Sequence, residues 1–152
     1  MPIINGISLP VPISPAWRLS FSNQTTTFYG RAQPGSDLEG AQFGCYHALI
    51  ESRIPFEIVD DSFLDSLARF RVLILPNIAA LSDAQCRQLT ESVRQGGRIV
   101  ATHETSLYDE WGVHRQDFGL SELFGCSYGG SIAVDGQHRT NLALSAEYFE
   151  VL

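Results

Sequence analysis

The chain reads as a single α/β domain, a parallel sheet with helices packed on both sides. Three observations point there. The apolar runs Arg71-Val-Leu-Ile-Leu75 and Arg98-Ile-Val-Ala-Thr102 have the unbroken hydrophobicity of strands buried on both faces. Between them, Ser82 with Gln85 three residues later is a capping box, which opens a helix at Asp83. Gly96 and Gly97 then stop that helix, because glycine accepts the left-handed conformation that a helix end needs. Strand, helix and strand in this order make one βαβ unit, which organises the rest of the chain.

The remaining elements follow in order. Residues 1–16 carry Pro2, Pro10, Pro12 and Pro15, which exclude a helix and any central strand. They read as an extended arm or linker. The aliphatic residues Ile3, Ile4, Ile7, Leu9, Val11 and Ile13 suggest that the arm lies against something, such as another subunit. The domain proper is then 17–152. Its first strand is 17–21, and the polar run 22–30 reads as a loop. Ser36 and Glu39 form a second capping box, so a helix begins near Asp37, with Ala41, Cys45 and Leu49 in one stripe flanked by Phe43, Tyr46 and Ile50. Ile54 and Pro55 end it. Residues 56–59 are the second strand, and Asp60, Asp61 and Ser62 start a short helix through Leu67. The third strand is 71–75, closed by Pro76 and Asn77. The helix after it places Cys86, Leu89 and Val93 on one face, and the fourth strand is 98–102. A polar loop follows, then a short helix over 118–124 stopped by Gly125. Residues 127–141 are turn-rich, with Asp135-Gly136 a hairpin-type signal, and 131–134 and 148–152 are candidate strands. The chain stops at Leu152 without a closing turn, which reads as a domain cut short.

Right-handed crossovers arrange the four strands in the order 2-1-3-4, a flavodoxin-like three-layer sandwich. The switch point falls between the first and third strands. The stretches 22–30, 77–81 and 103–108 then crowd along the carboxyl edge of the sheet, where ligands bind in such folds.

Composition excludes several classes. The 152 residues suffice for one domain with a real core, and a hydrophobic content of 44% is ordinary for a globular protein. Net charge is −7, and all ten basic residues are arginine. An acidic chain with scattered arginine argues against nucleic acid and against anionic membrane surfaces. No run approaches the length of a membrane span, and prolines interrupt any signal-like apolar stretch at the N-terminus. The three cysteines, Cys45, Cys86 and Cys126, are far apart and lack zinc-ligand spacing. They read as small buried hydrophobes in a reducing cytoplasm. His47 falls on a helix and His114 and His138 in polar loops, with no metal-binding spacing among the four histidines, so no metal or cofactor is expected.

Several motifs carry a family resemblance. They are Thr25-Thr-Thr-Phe-Tyr-Gly30, Leu73-Ile-Leu-Pro-Asn-Ile-Ala-Ala-Leu-Ser-Asp83, Gly96-Gly-Arg-Ile-Val-Ala-Thr102, Glu104-Thr-Ser-Leu-Tyr-Asp109 and Asp117-Phe-Gly-Leu-Ser-Glu-Leu-Phe-Gly125. Together they resemble the class I glutamine-amidotransferase-like domain of multidomain glycoside hydrolases, called the trimerisation domain in β-galactosidases. The resemblance implies a non-catalytic role, in oligomerisation or in support of a glycosidase catalytic barrel. Its partners would be further copies of the chain or that barrel.

True amidotransferases need a cysteine on a tight strand-to-helix elbow, with a histidine and a glutamate from a later segment. The equivalent place here, after the fourth strand, reads Ala101-Thr-His-Glu-Thr105 and holds no cysteine. His103 and Glu104 could still form an acid/base pair. Adjacent residues on an extended chain point to opposite faces, however, so the plainer reading is that they fix the loop by hydrogen bonds. Asn23, Gln24 and Thr25, with Asn77, Thr105, Ser106 and Tyr108, are candidates for binding a ligand such as a carbohydrate, through amides and hydroxyls at the same edge. The alternative to an assembly role is thus a small-molecule hydrolase or carbohydrate-binding protein that uses this edge.

Overall fold

The computed structural model describes residues 3–4, 7–8, 15–32, 38–62, 71–134 and 137–144. The sheet at its centre has four parallel strands. β3 (Trp17–Ser20) pairs with β4 (Phe56–Val59) on one side and with β5 (Val72–Pro76) on the other, and β5 pairs with β6 (Arg98–Thr102). The order β4-β3-β5-β6 is the expected 2-1-3-4 arrangement of a flavodoxin-like sandwich. Before it, β1 (Ile3–Ile4) and β2 (Ile7–Ser8) form a small antiparallel pair, and residues 1–2, 5–6 and 9–14 of the proposed arm lie outside the described residues.

β5 is the strand the core is built on. All five of its residues are buried, and their side chains alternate between two layers. Leu73 and Leu75 pack with Ile78, Leu81, Cys86, Leu89 and Leu120. Val72 and Ile74 face the other way, against Leu19 and Leu49. The first layer is covered by α3 (Asp83–Arg94), which begins at the expected residue. Its capping box is complete: the Gln85 N–H donates to Ser82 Oγ at 3.2 Å and the Ser82 N–H donates to Gln85 Oε1 at 2.7 Å. Gly96, with φ 99°, follows the C-cap and turns the chain into β6.

The second layer is covered by α2 (Leu38–Glu51). Its buried residues are Leu38, Gln42 and Leu49, with Cys45 and Tyr46 partly buried, whereas Phe43 and Ile50 are exposed. The expected stripe therefore faces inward, with Leu49 buried and Ala41 and Cys45 half-buried, while of its expected flanks only Tyr46 is partly buried. The Ser36 cap lies outside the described residues, as do the short helix expected beyond Ser62 and the strand expected over 148–152.

Two stretches differ from the sequence expectation. Residues 22–30 are not a loop: α1 (Asn23–Ala32) begins immediately after β3. Ser22 caps it, accepting from the Thr25 N–H at 2.9 Å, and Asp61 Oδ2 accepts from the Gln24 N–H at 3.1 Å. Asp61 thus serves a helix elsewhere in the chain. The turn-rich region is a hairpin of β7 (Cys126–Val134) and β8 (Gln137–Leu144), in which Val134 faces Gln137 across the two-residue signal Asp135-Gly136. His138 belongs to β8 and not to a loop. Between β6 and the hairpin, α4 (Ser121–Phe124) is a single turn ending on Gly125. Its approach is tight, since a Cβ on Gly119 would lie 2.8 Å from Cys86 Sγ.

A buried carbonyl- and hydroxyl-rich sheet edge is held by this packing, so the core sets its precision. Leu75 is fully buried at the centre of the first layer. Leu75→Ala should lower the unfolding free energy by about 2–5 kcal/mol in urea titrations, with the slope unchanged. A loss below about 1 kcal/mol would show that β5 is not the centre of the core.

Candidate functional site

Three segments meet at the carboxyl edge of the sheet: α1, the residues after β5, and the residues after β6. The joint is made largely by backbone and side-chain polar groups. The Ala80 N–H donates to Thr25 Oγ1 at 3.2 Å, and Gln24 Nε2 donates to the Ala80 carbonyl at 3.2 Å. The Ser106 N–H donates to the Ile78 carbonyl at 3.0 Å, and the Tyr108 N–H donates to that of Ala79 at 2.9 Å. The expected crowding of 22–30, 77–81 and 103–108 is therefore observed, although the first of these is a helix.

At the centre lies a carboxylate. Glu104 is only 7% exposed, and its Oε2 accepts from the Tyr29 hydroxyl at 2.8 Å. Burial, and behind it the Glu104 charge, pushes the Tyr29 hydroxyl far above its usual range, so it stays protonated and donates. The Glu104 N–H donates to Asn77 Oδ1 at 3.3 Å, and the Asn77 N–H donates to Thr102 Oγ1 at 3.0 Å. Thr105 Oγ1 lies 2.8 Å from the Thr102 carbonyl and 3.1 Å from that of Leu75, to which it donates. Ser106 Oγ accepts from the Leu120 N–H at 3.2 Å.

The backbone here is strained. Asn77, His103 and Ser106 have φ values of 50°, 55° and 67°. Left-handed backbone costs a non-glycine residue on the order of 1–2 kcal/mol. Asn77 and Ser106 are held there by the bonds just described. His103 is exposed, and its side chain makes no hydrogen bond among the described residues. His103 and Glu104 consequently diverge, one into solvent and one into the fold.

The other candidates separate in the same way. Thr25, Asn77, Thr105, Ser106 and Tyr108 are buried, Gln24 is half-buried, and Asn23 is exposed at the start of α1. Aromatic rings flank the corner. Tyr108 stacks edge-on against Tyr29 and His114, both at 5.0 Å, and His114 continues to Tyr128 at 5.6 Å. Sequence reasoning missed Tyr29, the partner of Glu104. A helical reading of 23–32 would have found it, because Thr25 and Tyr29 are four residues apart on the buried face.

No cysteine lies at the corner after β6. All three are free thiols, and burial raises each thiol pKa, that of Cys86 to about 11. Cys86 lines a groove of ≈ 600 Å³ between α3 and α4, but Tyr29, Asn77, His103 and Glu104 do not line it. Among the described residues no group of histidine, cysteine and acidic side chains is placed to hold a metal. No helix among them is long and apolar enough to cross a membrane.

The family model of the beta-galactosidase trimerisation domain matches residues 39–134, more than half of the chain. The chain belongs to that family. Solved structures agree on the fold. Gan42B, a GH42 beta-galactosidase from G. stearothermophilus, superposes with a TM-score of 0.77 at 17% identity, over 87% of this chain and 22% of its own. The beta-galactosidase from Bifidobacterium adolescentis gives 0.66 at 19% identity, over 81% of this chain and 58% of its own. The enzyme from the Antarctic haloarchaeon Halorubrum lacusprofundi gives 0.75 at 14% identity, over 90% and 24%. The chain thus spans about a fifth of the length of Gan42B. No curated protein sequence matches it.

Two outcomes test the corner. His103→Gly should raise stability by up to about 1 kcal/mol, since it relieves strain that no side-chain bond offsets. A loss would reveal an unrecognised role for the imidazole. The protein should also release no ammonia from glutamine. Steady release that disappears on replacing one cysteine by serine would contradict this reading.

Proposed function

We propose that the chain is a non-catalytic assembly module, which joins copies of a glycoside hydrolase of the β-galactosidase kind and supports its catalytic barrel. Membership of the trimerisation-domain family carries this reading. The corner after β6 supports it from chemistry. That corner has the strand-end position and strained backbone of a nucleophile elbow, yet His103 stands at the bend and Glu104 is turned inward onto Tyr29. No helix follows within 103–120 to aim backbone N–H groups at a reacting oxygen.

In this reading residues 17–152 form the assembly domain and residues 1–16 an arm that lies on a neighbouring copy. The arm's aliphatic side chains each gain about 1.5–3 kcal/mol if fully buried, and its fixed proline φ angles reduce the entropy lost on docking. The free thiols, two of them buried and Cys45 half-buried, suit a reducing compartment, the cytoplasm. Carbohydrate binding has less support. Thr25, Asn77, Thr105 and Ser106, the groups that would meet sugar hydroxyls, are buried and already bonded to neighbouring backbone or side chains.

Sedimentation of the 152-residue chain at tens of micromolar tests the proposal, and a trimer is expected. Deletion of residues 1–16 should shift the distribution toward smaller species. A wild-type chain that stays monomeric would overturn the assembly reading.

A further inference from the structure

The two rims of the sheet carry opposite charge. At the rim where the strands begin, Arg53 precedes β4, Arg71 precedes β5, Arg94 ends α3 and Arg98 opens β6. All four are exposed. Arg71 and Arg98 are direct neighbours, with the Arg98 N–H donating to the Arg71 carbonyl at 2.9 Å. Among the described residues none of the four is ion-paired: the ion pairs there are Arg18 with Glu57 and Arg115 with Asp83. Two acids, Glu51 and Glu91, share this rim, and Glu91 accepts from Gln95 Nε2. In a chain of net charge −7 this is a local excess of arginine.

At the opposite rim, where the strands end, Asp60, Asp61, Asp83, Asp109 and Glu110 outnumber Arg115, which pairs with Asp83. This rim also presents apolar side chains to solvent. Trp111 is 70% exposed and Val113 62%. The turn that carries them is closed by hydrogen bonds. Asp109 Oδ1 accepts from the N–H groups of Trp111 and Val113, each at 2.9 Å, and the Asp109 N–H donates to the Val113 carbonyl at 3.0 Å. Gly112 has φ 78°, and a Cβ there would meet Phe28 Cβ at 2.9 Å, so the turn is seated directly on α1. An exposed tryptophan fixed in advance is what a protein interface uses as an anchor, because little freedom is lost on docking.

We propose that these two rims are the two halves of one contact between copies of this chain, with the Trp111 turn and its flanking acids on one copy docking on the arginine rim of the next. This rests on the assembly reading above and names its surface. A cyclic trimer needs a heterologous contact, in which each copy offers two different surfaces. The rims carry opposite net charge, arginines outnumbering Glu51 and Glu91 on one and acids outnumbering Arg115 on the other, which favours head-to-tail over head-to-head pairing. Arginine faces also suit tryptophan, through attraction of the cation to the ring. Successive copies rotated against one another close into a ring, whereas unrotated copies would run on as a filament.

The test reverses two charges on each rim of the full chain and reads mass by sedimentation equilibrium. Arg71→Glu with Arg98→Glu should dissociate the trimer, and so should Asp60→Arg with Glu110→Arg. All four changes together should restore assembly in part, since positions 71 and 98 then oppose positions 60 and 110 with both signs exchanged. Trp111→Ala should raise the midpoint of dissociation roughly thirtyfold, as an anchoring aromatic does. Reversals that leave the trimer intact would overturn this contact while leaving the assembly reading in place. Dissociation by each pair without recovery in the combined variant would show that the two rims do not meet. A wild-type monomer would overturn both.

Discussion

The hydrogen bond from Tyr29 to Glu104 is the interaction on which the carboxyl edge of the sheet depends. It joins α1, at one end of the chain, to the corner after β6, and it satisfies a carboxylate that is almost fully buried. A buried charge without a donor is costly, so the Glu104 position requires something like Tyr29 opposite. The bonds around it, from Asn77, Thr102, Thr105 and Ser106, then hold Asn77 and Ser106 in left-handed backbone. Each element of the corner is tolerated because the others hold it.

This arrangement explains how a fold that hosts chemistry elsewhere can serve as a scaffold here. In open α/β sheets the strand ends at the switch point are the place for a ligand. In this chain that place is filled from within. Side chains that would face a substrate are bonded to the backbone of the neighbouring segment, and aromatic rings from Tyr108, His114 and Tyr128 line the flank. What faces outward is a different set: His103 at the bend, and Trp111 and Val113 on their turn. The surface is suited to contact with another protein more than to a small molecule, and fold alone would not have distinguished these uses.

The sheet was legible in the sequence because its signals are local. The apolar runs of β5 and β6 and the Ser82 capping box each lie within a few residues, and all three were placed to within one residue. α1 was not legible. Residues 23–32 contain no aliphatic stripe, and their buried face is made of Thr25 and Tyr29, which bury through hydrogen bonds to Ala80 and Glu104. A helix whose inner face is polar gives little periodic signal. The same blindness hid the site. Glu104 was singled out beside its chain neighbour His103, whereas its true partner lies 75 residues away. The hairpin of β7 and β8 was half visible, through Asp135-Gly136, but its glycines and polar residues masked the strands.

The central claim is that the corner is a structural joint, not a reactive site. A double-mutant cycle on Tyr29→Phe and Glu104→Gln, followed by urea unfolding, tests it most directly. If the bond holds the edge together, each single change destabilises the chain, and the coupling energy is about 1.5–3 kcal/mol, as for a hydrogen bond to a charged group. Additive effects, with coupling within about 0.3 kcal/mol of zero, would contradict the account.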